Sequence, residues 1–158
     1  MPFVGGYDAR GRGEGNSVEE LLPILTVAIP VAVLYALSRA TGWQRLAERY
    51  PCAGVLPEPH TRFGYGVFRG WLGYNGALVV GSDPGGLYVA TWAIFSWCHP
   101  AFYIPWSEVS EIRAEGSGWN ERRAIRTVGA PEIDFALRPP TFARVRDDAK
   151  QAGVPGEY

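Results

Sequence analysis

The chain of 158 residues is long enough for one domain with a sizeable core plus additional sequence, and its 15 basic and 16 acidic side chains leave a formal net charge of -1. That balance weighs against a nucleic-acid binder, which carries a concentrated excess of Lys and Arg, and a content of 47% hydrophobic and 13% aromatic residues excludes a disordered acidic chain. Two cysteines, Cys52 and Cys98, are too few for a disulfide framework, so a small disulfide-stapled secreted fold is not expected.

Residues 1–16 carry five glycines among scattered charges and read as a flexible N-terminal tail. Ser17 and Glu20 then form a capping box directly before an apolar run, which marks a helix start. From Leu21 to Ser38 no charged residue occurs. At about 1.5 Å per residue this stretch spans about 27 Å, close to a hydrocarbon core of about 30 Å. Snorkelling by Arg39 and an interfacial Trp43 are expected to anchor its end and cover the remainder. The run is apolar on every side rather than striped, which favours lipid over a soluble surface. Pro23 falls in the first turn, whereas Pro30 sits centrally and is expected to kink the helix. A buried core helix and a cleaved secretory signal ending near Ala36-Leu37-Ser38 are the competing readings. Against the signal, Glu19 and Glu20 stand where a basic region belongs.

Flanking charge sets the expected orientation. Arg10 and Arg12 lie on the N-terminal side, against Arg39, Arg45 and Arg49 on the C-terminal side, so the bulk of the chain is expected in the cytoplasm. Unpaired cysteines agree with a reducing compartment. Residues 39–50 continue in helical style, with Trp43, Leu46, Ala47 and Tyr50 as one apolar stripe, so residues 17–50 are read as a transmembrane and juxtamembrane helix. Pro51 stops that helix, and the prolines and glycine of residues 51–60 read as an extended linker.

Residues 61–153 are read as a β-rich domain. Seven strands are expected, at 62–70, 77–81, 86–92, 101–104, 109–115, 122–128 and 132–137. The expected turns include Gly73-Tyr74-Asn75-Gly76, Ser82-Asp83-Pro84-Gly85, His99-Pro100, Gly116-Ser117-Gly118 and Gly129-Ala130-Pro131. Alternation is clearest where Ile133, Phe135 and Leu137 share one face. From Pro139 a closing helix is expected, with Phe142, Val145, Ala149 and Ala152 as its stripe and Gly153 as its stop. Residues 154–158 remain as a C-terminal tail. The resulting fold class is mainly β (α+β): a seven-stranded antiparallel barrel or sandwich whose open end is plugged by the C-terminal helix, behind one N-terminal transmembrane helix.

The order of seven strands and a closing helix, the segment Ile104-Pro105-Trp106-Ser107-Glu108-Val109 opening a central strand, and the preceding Gly86-Leu87-Tyr88-Val89 resemble the pleckstrin-homology (PH-like) superfold, in its bacterial and GRAM-like branches. The chain as a whole is similar to small bacterial membrane proteins that place such a domain behind one span. The resemblance implies a fold and a binding role rather than a reaction. The Lys and Arg cluster that binds phosphoinositides in eukaryotic members has no counterpart here, where only Arg62 and Arg69 lie near the first two strands; this weighs against phosphoinositide binding.

Catalytic patterns are scarce. The two histidines, His60 and His99, and the neighbouring Cys98 do not suit a metal site, because adjacent strand residues point to opposite faces. Ser96, Ser107, Ser110 and Ser117 lack a nucleophile elbow, and Glu108, Glu111 and Glu115 do not share one strand face. The glycines of Gly64-Tyr65-Gly66-Val67-Phe68-Arg69-Gly70 miss the dinucleotide fingerprint and read as strand bending. No enzyme activity and no cofactor are expected. What stands out is aromatic density: Trp92, Phe95, Trp97, Phe102, Tyr103 and Trp106. These either fill the barrel or expose a contact face, at the membrane interface or for a protein partner. Trp92, Phe95, Trp97, Phe102 and Trp106 are the candidate interface residues. The expected function is a membrane-anchored interaction module; a structural subunit of a membrane complex, a lipid carrier and an enzyme with a barrel cavity are the alternatives.

Overall fold

The structure, a computed structural model, describes residues 16–52 and 58–158, with side chains from Leu21 onward. The tail 1–15, the capping-box side chains and the middle of the predicted linker lie outside the described residues. Two units are distinguished, one ending at Val33 and one running from Leu34 to Tyr158.

Helix α1 runs over Asn16–Ala40, with Pro23 and Pro30 inside it. Its stretch Leu21–Ala40, 20 residues, is long and apolar enough to cross a membrane. Leu21, Leu22, Ile24, Leu25, Val27 and Ile29 are all exposed. The Thr26 hydroxyl donates to the Leu22 carbonyl at 2.7 Å, so this polar group is satisfied within the helix.

The second unit is built on a seven-stranded antiparallel sheet, with β1 Pro59–Phe68, β2 Leu72–Asp83, β3 Gly86–Thr91, β4 Phe102–Pro105, β5 Val109–Glu115, β6 Arg122–Thr127 and β7 Phe135–Leu137. The order across the sheet is β4-β3-β2-β1-β7-β6-β5. This order forces the sheet to curl. Laid flat, its two edges would stand about 29 Å apart at about 4.8 Å per strand. Yet edge strand β4 is joined to edge strand β5 by the 3-10 turn Trp106–Glu108 alone, a connection that reaches about 15 Å at most. The edges therefore approach each other, and the concave face encloses Phe68, Leu78, Val80, Leu87, Phe102, Ile104, Ile112, Ile125, Phe135 and Leu137 in one core cluster.

Strand β1 bends to serve both halves of the sheet. Its first half pairs with the end of β2, its register shifts between Thr61 and Tyr65, and its last three residues pair with both β2 and β7. Gly66 sits at the crossing, where an added Cβ would lie 2.6 Å from Leu78 Cδ1. The expected turn Gly73-Tyr74-Asn75-Gly76 is instead part of β2, with Gly73, Tyr74 and Asn75 paired to Val67, Gly66 and Tyr65. The real turn lies at Arg69 and Gly70, which adopt successive positive φ angles of 49° and 73°. Residues with φ above zero are what a tight hairpin needs, and Arg is not a residue that announces one.

Three further boundaries differ from the sequence reading. Helix α2, Trp43–Arg49, carries the predicted stripe, and Trp43, Leu46, Ala47 and Tyr50 are buried in the core of the β unit, so this segment packs as part of that unit. The predicted C-terminal helix divides into α3, Pro139–Phe142, and α4, Arg146–Gln151. Tight bonds from Arg144 N to Thr141 O and from Val145 N to Phe142 O make the break. It offsets α4 so that Phe142, Val145 and Ala149 are buried while Ala152 is exposed. Residues 154–158 are not a free tail. Val154 is buried, Ile112 N donates to Pro155 O at 2.9 Å, and Glu157 N donates to Ile112 O at 2.9 Å, so the chain end covers part of the β5 edge.

Candidate functional site

The expected aromatic set separates into two groups. Trp43, read from the sequence as a membrane anchor, is fully buried, with ring centroids 5.0 Å from Phe68, 5.1 Å from Phe102 and 5.2 Å from His99. Its Nε1 donates to the Pro100 carbonyl at 2.8 Å. An indole enclosed in this way has no surface left for a bilayer, so Trp43 is a core residue. Phe102 and Trp106 are likewise buried and drop out of the candidate interface. Trp106 ties the β4–β5 connection to the β2–β3 turn, donating from Nε1 to Asp83 O at 2.8 Å and from its amide to Gly85 O at 3.0 Å. Arg39 remains exposed in the last turn of α1, where its Nη1 donates to the Tyr35 hydroxyl at 3.2 Å.

Trp92, Phe95 and Trp97 form the other group, at the end of β3 and the 3-10 turn Ala93–Phe95 that follows. Trp92 and Trp97 are exposed and Phe95 is half-buried. Two residues that sequence reasoning missed join them: Ile94, 66% exposed, and Phe63 on β1, 65% exposed. Phe63 meets Trp92 edge-on, with ring centroids 5.6 Å apart at 90°. A groove of about 510 Å³ is lined by Pro59, Arg62, Phe63, Val79, Trp92 and Ala93. The signal for Phe63 was present in the chain: Phe63 and Tyr65 alternate with Gly64 and Gly66, so period two puts both aromatics on the face opposite the glycines. Both rings are exposed and both glycines buried.

Behind this face lies a buried polar cluster. The Tyr74 hydroxyl stands 2.8 Å from His99 Nε2, and His99 Nδ1 stands 3.1 Å from Cys98 Sγ, which in turn donates to Phe95 O at 3.3 Å. Burial pushes the Tyr74 hydroxyl up to about 12, against a smaller lowering by a hydrogen bond with Thr41. Burial also raises the Cys98 thiol and lowers the His99 imidazole. Each shift disfavours the charged form. The pair is therefore a neutral thiol beside a neutral imidazole, with Tyr74 donating to Nε2, rather than the thiolate that nucleophilic catalysis requires.

A Ser, a His and an Asp also meet, at positions far apart in the chain. His60 Nε2 lies 3.2 Å from Ser82 Oγ and 3.1 Å from Ser82 O, while the Ser82 hydroxyl donates to the Asp148 carboxylate. In a catalytic relay the acid orients the imidazole and the imidazole takes the serine proton. Here the serine proton is already directed to Asp148, both partners converge on Ser82, and Ser82 is only 5% exposed. The cluster fastens α4 to β1 and β2. Among the described residues no group of three or more His, Cys, Asp and Glu side chains is placed to hold a metal ion.

The arrangement thus offers an exposed apolar face on a rigid β scaffold, with its ionisable neighbours held neutral or locked in structural bonds. Compared with protein-family models, with curated proteins and with solved structures, the chain matches none.

Proposed function

We propose that the chain is a membrane-anchored, non-enzymatic interaction module, with α1 as its single span and a PH-like, GRAM-like β unit as its binding part. The strand order β4-β3-β2-β1-β7-β6-β5, followed by helical segments that bury Phe142, Val145 and Ala149, supports the PH-like reading. The carrying observation is the exposed apolar stretch Leu21–Ala40, in which only 6% of an 18-residue portion is buried. In water that surface is costly at about 25 cal/mol per Å²; in acyl chains it costs nothing. Tethering restricts the β unit to a surface and raises its effective concentration for partners there. Arg39, Arg45 and Arg49 follow the span and orient this unit toward the cytoplasm. The groove at Phe63 and Trp92 is the face offered to a protein partner.

The test is flotation of the full-length chain with phosphatidylcholine vesicles on a density gradient, followed by alkaline carbonate washing. A span keeps the chain in the floated fraction after the wash. Substituting both Val27→Lys and Ile29→Lys should abolish that retention, at about 2.5–3.5 kcal/mol per charge near the bilayer centre. A wild-type chain that stays in the aqueous fraction as a monomer refutes the proposal.

A further inference from the structure

The turn that follows β3 carries more apolar surface than a partner groove needs, and its polar groups are closed in an unusual way. Ile94 is 66% and Trp97 55% exposed, and from Pro84 to Ser107 the sequence contains no Asp, Glu, Lys or Arg. Exposed indoles ordinarily leave their N–H to water. Here Trp97 Nε1 donates to Ile94 O at 2.8 Å, and Trp92 Nε1 donates to Arg62 O at 2.9 Å. The Ser96 hydroxyl donates to Ala93 O, and the amides of Phe95, Ser96, Cys98 and His99 donate to carbonyls within the turn. A loop whose indole and hydroxyl donors and four of whose amides are satisfied internally strands few donors when it leaves water, which favours entry into the shallow interfacial part of a bilayer.

The position of the turn matches that chemistry. Leu34, from the apolar stretch Leu21–Ala40, lines a hollow of about 190 Å³ together with Phe95, Ala77, Thr91 and His99. The turn therefore stands beside Leu34, within the second unit. Leu34 precedes Ala40 by about 9 Å along the helix axis, within the 5–10 Å to which interfacial apolar faces sink.

From these observations we infer that the turn Ala93–Trp97 is a second membrane contact, a foot that inserts Ile94 and Trp97 into the boundary between headgroups and acyl chains. The inference rests on the reading of α1 as a span and deepens it. One attachment point leaves the β unit free to swivel; a second fixes which of its faces looks away from the membrane. The occupant of this surface is lipid, because the span brings the bilayer to Leu34 and because the turn offers no unpaired indole or hydroxyl donor to a protein.

The experiment uses the full-length chain in vesicles of phosphatidylcholine and phosphatidylglycerol, some of them brominated at shallow acyl positions so as to quench nearby tryptophan. Flotation is scored first. Wild-type emission is then expected to be quenched, and Trp97→Phe to remove most of the quenched signal, Trp97 being the indole that the foot inserts. Ile94→Glu should reduce quenching and open Trp97 to acrylamide in the aqueous phase. Unchanged thermal unfolding of both variants shows that the turn is not needed for folding. If the chain does not float, the span reading fails and takes the foot with it. If the chain floats but Trp97 is reached by acrylamide and not by bromine, the span stands and the foot is refuted, and the turn is then free for a protein partner.

Discussion

Replacing Trp43 separates a core role from a membrane-anchoring role, because the two make opposite demands on stability. Trp43→Ala empties the centre of a cluster in which the indole touches Phe68, Tyr74, His99 and Phe102, and it strands the Pro100 carbonyl. Truncation of a fully buried Trp costs about 3–5 kcal/mol, and 4 kcal/mol is a fair central value here. Trp43→Phe keeps a ring but loses the N–H, at about 1 kcal/mol for the hydrogen bond and about 1 kcal/mol for the space left. At about 4 °C per kcal/mol for a unit of this size, Tm should fall by about 16 °C in the first variant and about 8 °C in the second. The assay is heating of the full-length chain in detergent micelles, followed by near-ultraviolet circular dichroism. Trp97→Ala is the control, expected within about 0.5 kcal/mol of wild type because Trp97 is exposed. A Trp43→Ala protein that melts within about 3 °C of wild type but leaves the vesicle fraction would refute the core assignment and restore the indole to the interface.

Other perturbations test separate parts of the reasoning. His99 is buried with a pKa lowered from its ordinary value of 6.5, so the unfolded chain takes up the proton more readily and stability is full above that value and declines as pH falls through it. Urea midpoints at pH 8 and pH 5 should show the decline, and His99→Asn should flatten it; Cys98 and Tyr74, the groups facing the ring, stay neutral across this window. Asp83 acts in a different window. Desolvation raises its carboxyl, but the Tyr103 hydroxyl and the Gly85 and Gly86 amides outweigh that and lower it from 3.8, so its contribution is lost only as pH falls below that value. Gly86→Ala drives a Cβ to 2.5 Å from the Ile104 carbonyl and 2.7 Å from the Tyr103 ring, and should cost about 2 kcal/mol by denaturant titration through overpacking of β3 against β4. Removing residues 154–158 exposes the β5 edge and gives up the burial of Val154 and two hydrogen bonds to Ile112. A loss of about 3 kcal/mol is expected, with association of the shortened chain visible by light scattering.

The legible parts of this chain share one property: their signal lies within a few residues. The apolar run from Leu21 needs no partner to be recognised, and α1 covers it. The alternation of Ile133, Phe135 and Leu137 reads correctly for side-chain direction, since all three are buried, although only Phe135–Leu137 pairs as a strand. Gly73-Tyr74-Asn75-Gly76 misleads for the converse reason. Its residues favour turns locally, but pairing with β1 overrides that preference, and the turn falls on Arg69-Gly70 because that is where the two strands reach the end of their register. Of the candidate face, Trp92, Phe95 and Trp97 were found by aromatic density. Density could not separate them from Phe102 and Trp106, which differ in being buried.

By itself the sequence determined a charge-balanced chain with one stretch able to cross a membrane and a β-rich remainder. Tertiary structure alone decided that Trp43 belongs with Phe102 and His99, that Ser82 joins His60 and Asp148, and that the last five residues close a sheet edge. Hydrophobic periodicity reports which side of an element avoids water, and it is written locally. What that side meets depends on where the chain returns, and here the three-residue link between the two sheet edges forces a curl that no local pattern encodes.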